Sequence, residues 1–257
     1  MKKHLSKTTS RGGFTLVEIL IALGISGVLF SGIYYAYSSQ QKSHIIQEQV
    51  SAMQRNLQSG MHFMEREIRM ARCDPTGKAG AGFVTANKNK NYLDAEGFIL
   101  KFTADIRGDT NGSAPDGDTS DPNEVIRYTL ADHGSDGDTD LLRNGALIAE
   151  NIDALDFVYL DKDDTPLDDD GNGNVTKEDT LDLIRSVQIT MVARTGIEDP
   201  HFIHDTTYKN QQGAIVFSVA SDGIDNDGDG SVDEAGEVDH FRRRLITTNI
   251  KCRNPER

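Results

Sequence analysis

An α+β fold, with one long N-terminal helix laid on a small antiparallel sheet, is predicted by three observations. No proline occurs between residues 1 and 74, and apolar residues there follow helical spacing. Beyond Pro75 the chain breaks into short apolar runs, mostly alternating and separated by polar turns. Charge divides at the same place: residues 1–73 hold nine Lys/Arg and four Asp/Glu, whereas residues 74–257 hold 18 and 37. A body that acidic repels nucleic acid and anionic headgroups and favours cations, so no nucleic-acid partner is expected.

The first element is apolar. Residues 1–13 carry Lys2, Lys3, Lys7 and Arg11, carry no acid, and end in Gly12-Gly13. An apolar run follows from Phe14 to Tyr37, 24 residues long. At about 1.5 Å per residue a helix of that length crosses a hydrocarbon core of about 30 Å. The basic flank predicts a single pass with the leader in the cytoplasm and the body on the far side. An ordinary signal peptide would be cleaved after the apolar stretch beside small residues, and residues 34–42 offer no convincing site. A plain anchor does not account for Glu18, a carboxylate near one end of the run. Acids in that setting are costly and are usually functional or paired.

Gly13-Phe14-Thr15-Leu16-Val17-Glu18 resembles the prepilin peptidase site of type IV pilins and type II secretion pseudopilins. The resemblance implies cleavage after Gly13 by prepilin peptidase and N-methylation of the new terminus, Phe14. It also implies retention of the apolar helix, single-pass residence in the bacterial inner membrane with the body in the periplasm, and later entry into a filament at the cell surface. Glu18 would then pair with the free amine of a neighbouring subunit and set axial register. Once desolvated, such a pair is worth several kcal/mol if both partners are present. Snorkelling of Glu18 to the interface is the plainer alternative.

The helix is expected to continue from about Thr15 to Arg72. Ile46, Val50, Met53, Leu57, Met61, Met64 and Ile68 step by three or four and form one face. That stripe is read as the contact with the body. Any kink should centre on Gly24, Gly27 and Gly32. The domain reading is therefore a leader over 1–13, a membrane or filament-core helix over 14–37, an amphipathic continuation over 38–73 and a β-rich body over 74–257.

Strands are expected at Gly97–Thr103, Glu124–Leu130, Asp140–Arg143, Ala146–Ala149, Ala154–Leu160, Ile184–Ala193, Ala214–Val219 and Arg244–Lys251. Asn144-Gly145 marks a tight hairpin. Met64–Ala71 with Asp74-Pro75-Thr76-Gly77, and Ala149–Phe157 with Thr247–Lys251, resemble the PilW family of minor pilins, to which the pseudopilin GspJ is related. This implies a pilin-like fold. It also implies a non-enzymatic subunit that joins other pilins and minor pilins through its N-terminal helix, priming assembly or standing near a tip. The alternatives are a secretion pseudopilin and a calcium-ordered adhesive head on a pilin stalk.

Two acidic segments fit the calcium-loop template, with oxygen donors at positions one, three and five and then glycine. In the first, Asp168, Asp170 and Asn172 supply side chains, Gly173 the turn, Asn174 a carbonyl and Asp179 the closing acid. In the second, Asp225, Asp227, Asp229, the Ser231 carbonyl and Asp233 are the ligands, and position twelve is Gly236. Ca2+ in a structural role is expected at both, with the weak affinity of extracellular modules. The acid clusters at Asp105–Asp121 and Asp132–Asp140 break the template and are read as flexible loops.

Cys73 and Cys252 belong to no metal pattern. They could pair in an oxidising compartment or stand as two independent buried thiols. His201 and His204 are read as part of a surface loop. No serine-hydrolase, zinc-protease, phosphate-loop or dinucleotide motif is present, so no enzymatic activity is expected.

Overall fold

The computed structural model describes residues 13–84, 100–109, 113–135, 137–168, 175, 177–221, 225, 230–232 and 238–253. The chain forms two compact units, Met1–Glu48 and Gln49–Arg257. The described part of the first is helical from Leu16 onward, within helix α1 (Leu16–Ile68). Gly24, Gly27 and Gly32 all lie inside uninterrupted helix.

In the second unit, the last part of α1 buries Met53, Leu57, Gly60, Met61, Met64 and Ile68. These are the outer positions of the stripe expected from periodicity, with Gly60 added. The helix ends at Ile68, four residues short of the sequence expectation. The chain tightens there into i→i−3 bonds, from Met70 N to Glu67 O at 2.9 Å and from Ala71 N to Ile68 O at 3.0 Å. Arg72 then takes a left-handed conformation with φ 66°. Its N–H donates to Thr103 O at 3.2 Å, and its guanidinium donates to Asp182 O at 2.8 Å and to Asp182 Oδ1 at 3.0 Å. Tertiary partners thus turn the chain before Pro75 does.

Among the described residues the body forms three antiparallel sheets, where the sequence suggested one. The first has the order β1 (Leu100–Thr103), β2 (Val125–Ala131), β3 (Asp140–Arg143), β4 (Ala146–Ala149). Asn144 and Gly145 turn the β3–β4 hairpin with φ 49° and 81°, the backbone a tight two-residue hairpin needs. The second sheet has the order β5 (Ile152–Leu160), β6 (Ser186–Arg194), β9 (Arg243–Lys251). The third pairs β7 (Tyr208–Lys209) with β8 (Ile215–Phe217). The break between the first two sheets falls at Asn151, with φ 59°, one residue before β5. The described part of the body also holds two short helices, α2 (Glu178–Leu181) and a 3-10 turn at Val219–Ser221.

β6 is buried along nearly its whole length. Val187, Ile189, Met191 and Ala193 join the main core with Met64, Ile68, Leu100, Tyr128, Leu141, Leu155 and Ile250. On its other face Val192 joins Ala154, Val216, Phe217 and Val219. A central strand covered on both sides accounts for its near-continuous burial. Gly60 is where α1 approaches both large sheets. A Cβ there would stand 2.9 Å from Leu141 Cδ2 in the first and 3.5 Å from Met191 Cε in the second.

Met64 is fully buried in the main core. Met64→Ala is expected to destabilise the body by about 2–5 kcal/mol. Denaturant unfolding of the detergent-solubilised chain, followed by tyrosine fluorescence because Trp is absent, measures it.

Candidate functional site

Helix α1 opens with a reciprocal cap. Glu18 N donates to Thr15 Oγ1 at 3.2 Å, while Thr15 N donates to Glu18 Oε2 at 2.8 Å. The Thr15 hydroxyl donates to the same Oε2 at 3.0 Å. This is the Thr-x-x-Glu capping box, a signal present in the sequence that the reading of Glu18 as a pairing group passed over. Both bonds fall on Oε2, leaving Oε1 without a partner among the described residues. Gly13 and Phe14 precede the cap, and Phe14 is 86 % exposed.

Beyond the cap, the large apolar side chains Leu16, Leu20, Leu23, Val28, Phe30, Ile33 and Tyr37 are all exposed. The helix contains an 18-residue window apolar enough to cross a membrane, none of it buried within the chain. A soluble protein's core helix of that composition would be covered.

Residues 8–34 match the family model of the prokaryotic N-terminal methylation motif. The match covers Gly13, Phe14 and Glu18 and about a tenth of the chain. No curated protein matches the sequence. Among solved structures, a type IV-like pilin from Thermus thermophilus is similar at 12 % identity and a TM-score of 0.41, covering 79 % of this chain and 97 % of that one.

The methylation motif is thus joined to a body whose sequence-predicted ligands are only partly described. Asp170, Asn172, Asn174, Asp227, Asp229 and Asp233 lie outside the described residues, as does Gly173. Of the first template, Asp179 stands in α2, and Val175, the aliphatic position, is buried in the main core. Of the second, Gly230 has φ 97° and its N–H donates to Asp225 Oδ2 at 3.0 Å. That is the sharp turn the template requires at its sixth position. Asp168 and Ser231 are among the described residues, but most of the groups that would complete either loop are not.

Cys252 is buried beside Arg72 and Arg185, and burial pushes its thiol up to about 11. Arg253 N donates to Arg69 O at 3.0 Å, so the segment after β9 runs against the turn that ends in half-buried Cys73.

Two polar clusters escaped the sequence reading. Glu67, on α1, receives Arg143 Nε on both oxygens at 2.8 and 2.9 Å and the Tyr128 hydroxyl at 2.5 Å. Burial, and then the Glu67 carboxylate, raise the Tyr128 phenol. Glu67 and Arg143 border an open groove of about 460 Å³ that Phe63, Met70, Ile106 and Ile126 also line.

The second cluster corrects the surface-loop reading of His204, which is 3 % exposed. An isolated bridge to Asp239 draws it in, and its ring stacks on Tyr208 at 5.6 Å. Arg243 is the hub: its Nε meets Asp153 Oδ2 and its Nη1 meets Asp239 Oδ2, each at 2.5 Å. Arg194 also faces Asp153, at 3.4 Å. Burial pushes the Asp153 carboxyl upward against the pull of Arg243 and Arg194. Two of these pairs, His204–Tyr208 and Asp239–Arg243, are four residues apart, but the hub forms only because distant segments bring Asp153, Arg194 and His204 to Arg243, which no local pattern announces.

Burial, then Arg243, holds His204 below the usual imidazole range, against the smaller opposing fields of Asp239 and Asp205. Its Nε2 is 3.2 Å from the Tyr208 hydroxyl and its Nδ1 is 3.4 Å from Arg243 Nη1, an arrangement that suits the neutral ring. A depressed folded value makes protonation favour the unfolded chain. The His204 contribution is therefore complete above about pH 6.5 and is lost as pH falls below it. The melting midpoint should drop between pH 7 and 5.5, and His204→Gln should flatten that slope; thermal melts of the two proteins across this window test it.

Proposed function

We propose that this chain is a type IV pilin-like subunit. It is made as a prepilin, held in the bacterial inner membrane by one helix with its body in the periplasm, and then moved into a filament. The observation that carries the reading is an uncovered apolar helix placed directly behind a methylation motif. A helix exposed along its whole apolar length needs lipid or other helices around it, and a filament core of related helices supplies them.

The chain's own groups serve the two stages in turn. Gly13 and Phe14 lie ahead of the Thr15–Glu18 cap, outside α1, where prepilin peptidase can reach the bond between them. Cleavage there leaves the cap intact, because neither capping residue is removed. Glu18 uses Oε2 for its own helix and has Oε1 for the new terminal amine of a neighbouring subunit. Inside a hydrophobic bundle that charge pair is satisfied only at one axial offset, so it fixes register.

Within this reading the body belongs to a minor, PilW-like pilin rather than a repeating shaft subunit, on the strength of its sequence resemblance. Calcium ordering the Asp168–Asp179 and Asp225–Asp233 loops is part of the same proposal and rests on the template and the Gly230 turn. Deletion should remove surface pili. Loss of secreted enzymes with pili intact would reassign the chain to a type II secretion pseudopilin.

Mass spectrometry of the native protein should find a methylated Phe14 terminus; an intact leader, or a cut after the apolar segment, would defeat the proposal. Charge reversal by Glu18→Lys should leave cleavage intact and lower the amount of subunit in sheared filaments at least about tenfold, the equivalent of about 1.4 kcal/mol. Normal incorporation would refute the register role.

A further inference from the structure

The segment between β1 and β2 breaks the calcium-loop template, yet it is ordered by its own carboxylates. Between Asp105 and Glu124 it carries six acids and one cation, Arg107. Asp116 Oδ2 accepts from Asp109 N at 3.2 Å and its Oδ1 from Asp118 N at 3.3 Å. Glu124 Oε1 accepts from Ile106 N at 2.7 Å and Arg107 N at 3.0 Å, and its Oε2 from Asp121 N at 3.3 Å. Asp105, fully buried, accepts from Gly117 N at 3.1 Å and from the Thr76 hydroxyl at 3.3 Å. The carboxylates thus bind the segment's own backbone amides, with Asp105, Asp121 and Glu124 buried and Asp109, Asp116 and Asp118 at the surface.

Two sets of oxygens converge, from Asp109, Asp116 and Asp121 and from Asp118, Asp121 and Glu124. Within each set one carboxylate oxygen per residue lies within 4.8 Å of the others. Asp121 is common to both and is 8 % exposed, and its buried Oδ2 has no hydrogen-bond partner among the described residues. None of the five makes an ion pair with a described Lys, Arg or His. Burial, followed by the charges of Asp116, Glu124, Asp109 and Asp118, pushes the Asp121 carboxyl above its ordinary range. Glu124, the most buried of the five, has N–H donors on both oxygens. Asp121, shared by both sets, keeps a buried oxygen with none among the described residues.

We propose that Asp109, Asp116, Asp118, Asp121 and Glu124 form a divalent-cation site that takes calcium. All the donors are oxygens, with no imidazole or thiol among them, which selects a hard cation over zinc or copper. Carboxylates spread over a loop suit the irregular, high coordination of calcium better than the strict octahedron of magnesium. The cation neutralises Asp121 and ties the loop to the β1–β2 junction at Glu124, where Ala104 N donates to Glu124 O at 3.0 Å. The site is independent of the two template loops and of the pilin reading.

The test uses the full-length chain in detergent micelles, stripped with a chelator and titrated with calcium chloride, with bound calcium counted by equilibrium dialysis. The background carries Asp168→Asn, Asp170→Asn, Asp225→Asn and Asp227→Asn, which disables the template loops. One calcium per chain should remain, with a Kd of about 0.1–1 mM. Adding Asp121→Asn should weaken it at least about tenfold, and magnesium should bind more weakly than calcium. In the unmutated chain, calcium should slow hydrogen exchange at the amides of 116–124, a readout that does not depend on any variant folding. No calcium bound in the background, undiminished binding with Asp121→Asn, magnesium binding as tight as calcium, or unchanged exchange over 116–124 would each overturn the site.

Discussion

No described residue covers the apolar surface between Phe14 and Tyr37, and that deficit is the constraint around which the rest of the molecule is arranged. Fifteen large apolar or aromatic side chains there are exposed. At about 1.5–3 kcal/mol for each side chain brought out of water, the unrealised burial is on the order of 20–45 kcal/mol. That exceeds the stability of an ordinary domain, about 5–15 kcal/mol. Such a segment fits membrane anchoring, and then packing against other helices, rather than exposure to water. The later part of α1 carries a different face: its stripe from Met53 to Ile68 is consumed by the body's own core. One helix thus meets two solvents, and the sequence changes from apolar all round to amphipathic where the second begins.

The body is built to receive that stripe. Two antiparallel sheets meet the helix near Gly60, the buried glycine of the stripe, and β6 lies at the centre of the second sheet with its other face closed by β8 and the Val219 turn. Electrostatics follow a related logic. Several acids in the body are held by an arginine: Glu67 by Arg143, Asp199 by Arg242, and Asp153 and Asp239 by Arg243. Buried Asp105, Glu124 and Asp140 accept from N–H or hydroxyl donors instead, and Asp121 keeps a buried oxygen without a hydrogen-bond partner among the described residues, which is the opening for the proposed cation.

Local signals carried most of the fold. The stripe on α1, the Asn144-Gly145 hairpin and the strand positions follow from periodicity and turn chemistry, because they depend on neighbours in sequence. The helix end was misplaced by four residues because Arg72 is turned by Thr103 and Asp182, partners that no helix propensity encodes. The division into three sheets was illegible for the same reason, since strand spacing does not say which strands pair. At the functional end, Gly13, Phe14 and Glu18 were readable as a motif, and the capping role of Glu18 was equally present in Thr15-x-x-Glu18. The Asp105–Asp121 acids read as a flexible loop because they lack template spacing, and Glu124 reads as part of a strand. The convergence of the cluster arises from the Asp105 carboxylate accepting from Gly117 N and the Glu124 carboxylate from Ile106 N, contacts that only three-dimensional structure reveals.

The central claim is that the uncovered segment lives in a hydrophobic surrounding rather than in water. A nitroxide attached at residue 28, in chain reconstituted into lipid bilayers, reports on this directly through its collisions with oxygen and with a water-soluble nickel complex. The account predicts frequent collisions with oxygen and shielding from nickel. Nickel access equal to that of a label on an exposed residue of the body would contradict it.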